Sequence, residues 1–510
     1  MITEPFNSPV CPTVVGQKSV IISLTLSGRP GRVVRQMHRT LFLWVGVLPG
    51  KFVSQLLFLI SVAVAISIEV FAISIAIAVA VDAASSPTFA YTVEITNYCT
   101  STQIATDITN CAQQAINAAA PKNISFGGGL VHFPADLSPY ILLGTLQVPF
   151  SFVKLEGDSP QGTFISCKNG ANDCITIGNN NSPTRGQAIS NLGIFGQGKT
   201  GGNGVIISNT FNVNIENVIF GNMVNGIDFA GANNTMTLRN VMVSDNQPNS
   251  QYGIYWHDRA DGTSRSDALA ISNVIIEGNW SNATGFLWDG GASTVTGSTL
   301  RILHQQYGMR IMNSAHSQSH YPAFLNIFDL ELEGFKLRAL EIDGGADFRI
   351  VGSDINNLLG NSTPGSKTNS DEQAIAIFAD TGYSYTRGIS IVNSRIGDSH
   401  YAGLYSEAVD VQLTNDVFFS TQGGDNPGAP VINLAPSSRD VLLNNIRCEE
   451  FGGLGYASYC LQVSAGAQGI IANVIDARYV RIGAINDLGS KGASYVSVLQ
   501  PNGQAVTLLK

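Results

Sequence analysis

Charged residues are scarce in this sequence. They make up 13% of its 510 residues, roughly half the share usual in soluble proteins, and the net charge is −9. The Lys and Arg residues form no basic footprint for a phosphate backbone, because they are scattered along a mildly acidic chain. This composition argues against nucleic acid as a partner, and an uncharged or hydroxyl-rich partner fits better.

Common catalytic and metal-binding motifs are also missing. The sequence has no P-loop, no HExxH helix and no GxSxG nucleophile motif. It has no CxxC, and no His lies at ligand spacing from a cysteine pair, which argues against a structural metal. The Gly-rich segment that begins at Phe195 (FGQGKTGGNG) lacks the strand–turn–helix context of a dinucleotide site and is predicted to form turns between coils.

The cysteines are few but regularly placed. Cys11 stands alone near the start, and six others form three close pairs: Cys99 with Cys111, Cys167 with Cys174, and Cys448 with Cys460. An even set of local pairs predicts disulfides formed in an oxidising compartment, with buried free thiols as the alternative.

The first 90 residues differ from the rest and resemble an export signal. Arg and Lys residues precede an apolar run over residues 52–81, and small residues follow at 83–86. The run is long enough to span a bilayer, although Glu69 near its middle is costly in a stable span. We therefore predict a basic region plus a cleaved signal peptide over residues 1–90, with a retained membrane anchor as the alternative. Either form contacts the membrane at least during export, and Met37 offers a later start.

Residues 91–150 are predicted to form a cap and a first coil. Apolar residues at helical spacing over 106–120 follow a cap-like Thr106 or Asp107 and predict a short capping helix. A triple-glycine turn at 127–129 then leads into a short strand that stops at Pro134.

One phrase recurs over residues 151–480. A short β-branched strand and an Asn or Gly corner are followed by Gly or Ala and another apolar strand, as in NGIDF from Asn225 and YGIYW from Tyr252. Successive Gly or Ala corners are 22 (Gly204 to Gly226) to 35 (Ala339 to Ala374) residues apart. Strand-rich repeats of this period predict an all-β solenoid with three short strands per coil, closed by a C-terminal coil or cap over residues 481–510.

The segment AQQAINAAA from Ala112, GGGLVHFPA from Gly127 and VKLEGDSPQGTFI from Val153 resembles the pectate-lyase-like domain of rhamnogalacturonases and epimerase-like proteins. The later coils resemble the wider pectin-lyase-like superfamily, so the resemblance covers residues 91 to 480. It implies a right-handed parallel β-helix with three sheets. It implies no single activity, because this fold hosts hydrolases, lyases, epimerases and adhesins.

Alternation along the strands predicts one chemically rich wall. When the apolar residue after each corner points inward, its neighbours point outward and stack from coil to coil. The outward set is Asp228, Tyr255, His257, Asp289, Arg310, Glu341 and Asp343. Most other strands present Ser, Thr, Ala or Asn, so this wall is the predicted site. Ordinary solvated surface charge is the alternative reading.

Two carboxylates on this wall predict glycoside chemistry. Asp289 and Asp343 lie two coils apart, which places their carboxyl groups about 9–10 Å from each other. That separation lies near the upper end for an inverting glycosidase acid/base pair. Tyr255 and Arg310 are predicted to hold the sugar by ring stacking and by pairing with a uronic carboxylate. Asp228 is predicted to bind substrate, and His257 or Glu341 to assist the catalytic pair.

Family activity motifs fit poorly. Asn225-Gly226-Ile227-Asp228 resembles part of the first polygalacturonase motif, but no Gly-His-Gly and no Arg-x-Lys occurs. The first hypothesis is therefore a secreted or envelope-bound glycosidase or polysaccharide lyase. It needs no cofactor as a glycosidase, and the resemblance allows calcium if it is a lyase. The second hypothesis is a non-catalytic, adhesin-like β-helix that binds polysaccharide.

Overall fold

The computed structural model describes residues 89–121, 127–136, 138–244, 249–258, 265–278, 283–314, 321–356, 373–379, 386–399, 401–421, 429–449, 457–501 and 503–509. The predicted export segment at 52–81 lies outside these residues. The division of the chain at 90, 150 and 480 stays a prediction.

The described chain is built almost entirely of strands. Two short helices, α1 (Ser101–Thr106) and α2 (Thr109–Ala118), lie near its start, after a 3₁₀ turn at Ile95–Asn97. The first eighteen strands are β1 (Thr92–Glu94), β2 (Leu130–Phe133), β3 (Tyr140–Leu142), β4 (Leu146–Val148), β5 (Lys154–Gly157), β6 (Phe164–Cys167), β7 (Ile175–Gly178), β8 (Thr184–Arg185), β9 (Ala188–Gly196), β10 (Asn203–Ser208), β11 (Thr210–Phe211), β12 (Asn214–Gly221), β13 (Asn225–Ala230), β14 (Asn234–Ser244), β15 (Tyr252–His257), β16 (Asp267–Glu277), β17 (Thr284–Asp289) and β18 (Ser293–Leu303). The others are β19 (Tyr307–Met312), β20 (Ala323–Glu333), β21 (Arg338–Asp343), β22 (Ala346–Val351), β23 (Asp354–Asn356), β24 (Ile375–Phe378), β25 (Arg387–Val392), β26 (Arg395–Ser399), β27 (Leu404–Ser406), β28 (Val409–Thr414), β29 (Val417–Thr421), β30 (Ile432–Leu434), β31 (Arg439–Glu449), β32 (Tyr459–Val463), β33 (Ile471–Asp476), β34 (Gly483–Asp487), β35 (Ser494–Leu499) and β36 (Ala505–Leu509).

These strands form two hydrogen-bonded sheets, which confirms the predicted parallel β-helix. Sheet A has 23 strands, and sheet B has 13 strands in the spatial order β4, β7, β10, β13, β15, β17, β19, β21, β24, β27, β30, β32 and β34. Neighbours in sheet B are all parallel, so each coil stacks on the one before it. In sheet A the described exception is the antiparallel pair β35–β36 at the C-terminal end.

Three faces arise from two sheets because sheet A bends. Its long strands β12, β14 and β16 each contain an Asn with positive φ: Asn217 (55°), Asn240 (51°) and Asn273 (52°). Asn tolerates this left-handed conformation better than most residues, so the backbone turns a corner there while the strand ladder continues on both sides. The corner side chains bond from coil to coil, with Asn217 Nδ2 2.6 Å from Asn191 Oδ1 and Asn273 Nδ2 2.9 Å from Asn240 Oδ1.

The core is a column of inward side chains. On sheet B the inward residues are fully buried or nearly so, as the alternation predicts: Ile227, Phe229, Ile254, Trp256, Phe286, Trp288, Met309, Ile311, Leu340 and Ile342. The glycine of the repeated phrase permits this stacking. A Cβ at Gly253 would lie 2.8 Å from the carbonyl oxygen of Gly285 in the next coil, which is too close for any side chain.

All three predicted cysteine pairs are joined in the structure, with Cα–Cα distances of 5.1, 5.9 and 5.8 Å. Cys99–Cys111 ties helix α2 to the residues before α1. The other two bonds each connect sheet A to sheet B within one coil. The predicted capping helix is present as α2, and the Asp107 carboxylate accepts a hydrogen bond from the Thr109 amide at its start (2.9 Å).

Candidate functional site

The seven residues predicted to share a wall all lie on sheet B. Tyr255, Arg310 and Glu341 follow one column of the strand register, in which Asp228 pairs with Tyr255 and Leu287 separates Tyr255 from Arg310. His257, Asp289 and Asp343 follow the neighbouring column, with Met312 between the two aspartates. The structure thus places the predicted residues in two adjacent columns over five successive strands, β13 to β21.

Asp228 and His257 form an enclosed polar contact on this wall. Asp228 Oδ1 lies 2.9 Å from His257 Nε2, and the two side chains are only 12% and 17% exposed. The other ring nitrogen, Nδ1, lies 2.6 Å from the carbonyl oxygen of Asp258, so it donates there. The imidazole is therefore held at both nitrogens, which fixes its orientation on the strand.

Tyr252, at the start of the strand that carries His257, also contacts Asp228. Its hydroxyl lies 3.0 Å from Asp228 Oδ2 and 3.0 Å from Asn203 Oδ1. Burial raises the pKa of Tyr252 above its ordinary range, and the charge of Asp228 raises it further. The phenol therefore keeps its proton at neutral pH, and the Asp228 carboxylate accepts hydrogen bonds from two sides.

Tyr255 lies against both of these rings. Its ring centroid is 3.9 Å from that of His257 in a stacked arrangement and 4.9 Å from that of Tyr252. Burial raises its pKa, as do the charges of Asp289 and Asp228. Because its faces are in contact with His257 and Tyr252, the phenol hydroxyl is the part of Tyr255 best placed to meet a ligand.

A second cluster surrounds Glu341, whose side chain is 4% exposed. Arg310 Nε and Nη2 both donate to Oε1 (3.0 and 2.7 Å), and Arg338 Nη1 donates to Oε2. The guanidinium of Arg310 lies 4.3 Å from the ring centroid of Tyr307, and that of Arg338 lies 4.8 Å from Phe378. Two cations therefore share one carboxylate here.

The proposed acid/base pair is spread over three strands. Asp289 and Asp343 are each one register step from Met312, which corresponds to a separation of about 9–10 Å along the stack. The Asp289 carboxylate accepts hydrogen bonds from the amide (3.0 Å) and hydroxyl (2.5 Å) of Ser314. Both oxygens of the Asp289 carboxylate therefore contact Ser314.

Sequence reasoning missed Tyr252, Arg338 and Asn203. Each is the residue immediately before the Gly or Ala of the repeated phrase, a position that the alternation rule treats as part of the corner. An alignment of the phrases at that position shows Asn, Asn, Tyr, Thr, Tyr and Arg on successive strands from Asn203 to Arg338. That run of polar and aromatic types was the available signal.

Within the described ranges, no three His, Cys, Asp or Glu side chains are grouped as a metal site requires. In the same part of the chain, no helix is both long and apolar enough to cross a membrane.

Solved structures similar to this chain include the A-module of mannuronan C-5 epimerase AlgE4 of Azotobacter vinelandii, with 15% identity over 79% of this chain and 97% of that one and a TM-score of 0.44. The surface adhesin PfbA of Streptococcus pneumoniae matches with 15% identity over 79% and 93%, and a TM-score of 0.47. An N-terminal fragment of bacteriophage phi29 gene product 12 matches with 12% identity over 81% and 73%, and a TM-score of 0.49. No family model and no curated protein sequence matches the chain. The strand register confirms the predicted parallel β-helix, which is the fold that the resemblance to the pectin-lyase-like superfamily implies.

Proposed function

We propose that this chain is an exported enzyme that cleaves an acidic polysaccharide along the outer face of sheet B. The observation that carries the proposal is the hydrogen-bonded set of His257, Asp228 and Tyr252, with Tyr255 stacked against it. An enclosed imidazole, a carboxylate and two phenols are groups that transfer protons, and enzymes place such groups where a bond is made or broken. The three disulfides are typical of an oxidising compartment and support export.

The contacts favour elimination over hydrolysis. In an elimination, a base removes the proton from the carbon that bears the sugar carboxylate. The glycosidic carbon–oxygen bond at the neighbouring carbon breaks, a carbon–carbon double bond forms, and the leaving oxygen takes up a proton. We assign the proton donor to His257, whose two ring N–H groups donate to Asp228 and Asp258, and the base to the carboxylate of Asp289, which pairs with His257 in the strand register.

The Glu341 cluster supports an acidic substrate. Neutralising the sugar carboxylate makes the neighbouring carbon–hydrogen bond more acidic, and a guanidinium fork suits this task. Arg310 and Arg338 both contact Glu341, so two guanidinium groups lie together on this face. Arg310 is two strands from His257 in the register, within reach of one substrate chain lying along the stack. We derive no step through calcium.

The test is incubation with a panel of uronate-containing and neutral polysaccharides, followed by product mass and by absorbance of the unsaturated sugar. His257→Gln should lower turnover by at least about 100-fold, because it removes the proton donor. The control is His132→Gln, which changes a histidine of sheet A far from this wall in the strand order and should keep full activity.

Two outcomes contradict this mechanism. Products that gain the mass of water would indicate hydrolysis. A loss of all activity in Asp289→Asn and Asp343→Asn, with activity retained in His257→Gln, would return the catalytic role to the carboxylate pair.

A non-catalytic polysaccharide-binding protein is the second candidate. The observation that favours it is that the charged groups of the wall bind one another: Asp228 binds His257, and Arg310 binds Glu341. Binding on a glycan array, with neither new reducing ends nor unsaturated products from any of the bound glycans, would establish this candidate in place of the enzyme.

A further inference from the structure

The Cys167–Cys174 disulfide closes a short loop at the beginning of sheet B. It joins the last residue of β6 in sheet A to the residue before β7 in sheet B. Within the loop, Asn169 Nδ2 donates to the carbonyl oxygens of Gly144 (2.9 Å) and Asp173 (2.7 Å). The loop is therefore held both by a covalent bond and by its own side chains.

Lys199 extends from the next coil into this loop. It is only 6% exposed, and its Nζ donates to Asn169 Oδ1 (2.7 Å) and to the carbonyl oxygen of Asn172 (2.5 Å). Burial lowers the pKa of Lys199, and the charge of Asp173 partly opposes this. A buried ammonium group is costly unless its donors find acceptors, so the loop must keep its shape for Lys199 to remain where it is.

Asp173, the last residue of the loop before Cys174, determines the orientation of Asn203. Its Oδ1 accepts hydrogen bonds from the backbone amide (2.9 Å) and from Nδ2 (2.8 Å) of Asn203. An ionised carboxylate only accepts, so the nitrogen of the Asn203 amide faces Asp173 and its oxygen faces the other way, toward Tyr252.

The hydroxyl of Tyr252 meets two acceptors with one proton. It lies 3.0 Å from Asn203 Oδ1 and 3.0 Å from Asp228 Oδ2. A phenol has one proton to donate, and the Tyr252 hydroxyl lies at the same distance from both oxygens, so its proton is shared between them. The fixed position of Asn203 Oδ1 therefore keeps the Tyr252 hydroxyl in place beside the carboxylate that holds His257.

We propose that the disulfide loop 168–173 positions the proton-transfer set, because it holds Tyr252 against Asp228 through Asp173 and Asn203. The contacts run without a break from the Cys167–Cys174 loop across β10 and β13 to β15. Its effect on turnover rests on the proposed function. Asp173 and Asn203 are positioning residues here, since neither touches the proposed substrate.

The test compares two disulfides by kcat and KM. Cys167→Ala/Cys174→Ala should lower kcat about tenfold with KM within about twofold, the effect of losing one hydrogen bond in the active set. Cys448→Ala/Cys460→Ala is the matched control, because that bond also joins sheet A to sheet B within one coil, and it should keep kcat.

Two single substitutions test the same path while both disulfides remain. Asn203→Ala and Asp173→Ala should each reproduce the loss of kcat, and the double variant should lose no more than the worse single one, since both break one path. Ser208→Ala, which removes another outward hydrogen-bonding side chain of β10, should keep kcat. Equal kcat in all variants, or an equal loss in both controls, would overturn the proposal.

A readout independent of turnover separates this proposal from the enzymatic one. In protein labelled with ¹³C-tyrosine, the ring signals of Tyr252, assigned with Tyr252→Phe, should move in Cys167→Ala/Cys174→Ala and stay in Cys448→Ala/Cys460→Ala. A Tyr252 signal that is unchanged in the first variant would contradict the positioning role. An absence of activity on every glycan, with the signal moved, would contradict the proposed function alone.

Discussion

Two Arg–Glu pairs join the same two coils on different faces of the helix. On sheet A, Arg301 pairs with Glu331 between β18 and β20, and their side chains are 41% and 32% exposed. On sheet B, Arg310 pairs with Glu341 between β19 and β21, and theirs are 24% and 4% exposed. The two pairs have the same residue types and the same cross-strand arrangement, but the pair on sheet B is less exposed to water.

This difference separates ordinary surface charge from a candidate site. An exposed ion pair adds little to the free energy of unfolding, because water screens the two charges and solvates each of them well when they separate. A pair withdrawn from water loses solvation, and the cost is offset only while every charge keeps its partner. Enclosed charge on an outward face has no role in the apolar core, so it marks the outer face of sheet B as the one to test for catalysis or binding.

The largest expected effect follows from removing the shared carboxylate of sheet B. Glu341→Gln removes the carboxylate that two enclosed guanidinium groups share, and the free energy of unfolding should fall by about 3–5 kcal/mol. Urea unfolding followed by circular dichroism measures the change. A loss below about 1 kcal/mol would mean that water reaches this cluster as freely as it reaches sheet A.

A smaller and pH-dependent effect is expected at His132 on sheet A. Its Nδ1 lies 2.8 Å from Glu94 Oε2 and its Nε2 lies 3.0 Å from Asp158 Oδ1. Burial acts to lower the pKa of His132, but the hydrogen bonds with Glu94 and Asp158 outweigh it, so the pKa is raised. The stabilisation is then fully present below the unfolded value of about 6.5 and is lost as the pH rises through the raised value.

His132→Gln should therefore cost stability at pH 5.5 and change little at pH 9. Both carboxylates are more than 40% exposed, so the difference should be about 0.5–1 kcal/mol. Unfolding midpoints in urea at the two pH values measure it. A larger cost at pH 9 than at pH 5.5 would have the wrong sign and would contradict the charged pairing of His132.

The smallest effect is expected at Glu331, in the exposed ion pair of sheet A. Glu331→Gln should lower the free energy of unfolding by about 0.2–1 kcal/mol, because Arg301 remains solvated after the change. The same urea experiment applies, and added salt should shrink the difference further. A loss as large as that of Glu341→Gln would remove the distinction between the two faces.

Much of the fold could be predicted because the relevant signals are local. In YGIYW, the glycine and the alternating apolar residues indicate which side chains point into the core. Ile254 and Trp256 are indeed fully buried. The disulfides could be paired for the same reason, since each joins cysteines at most 12 residues apart in the sequence.

The site could be predicted only in part. The alternation of apolar and polar residues correctly placed His257 and Arg310 on the outer face of sheet B. It does not predict which neighbouring side chains each of them contacts. Lys199 lies in the turn between β9 and β10, and alternation does not indicate that its side chain is buried in the disulfide loop of the preceding coil. The path of the loop determines that contact. This path depends on how neighbouring coils pack, and the period of the sequence repeat does not predict it.

By itself, the sequence determined the coil, the inward and outward sides of each strand and the three cysteine pairs, because period-two alternation and stacking are properties of short segments. Only the tertiary structure decided that Tyr252, Asp228 and His257 form one hydrogen-bonded set and that two arginines share Glu341. These contacts join residues of different coils, and their distances depend on how far each coil is displaced and turned relative to its neighbour.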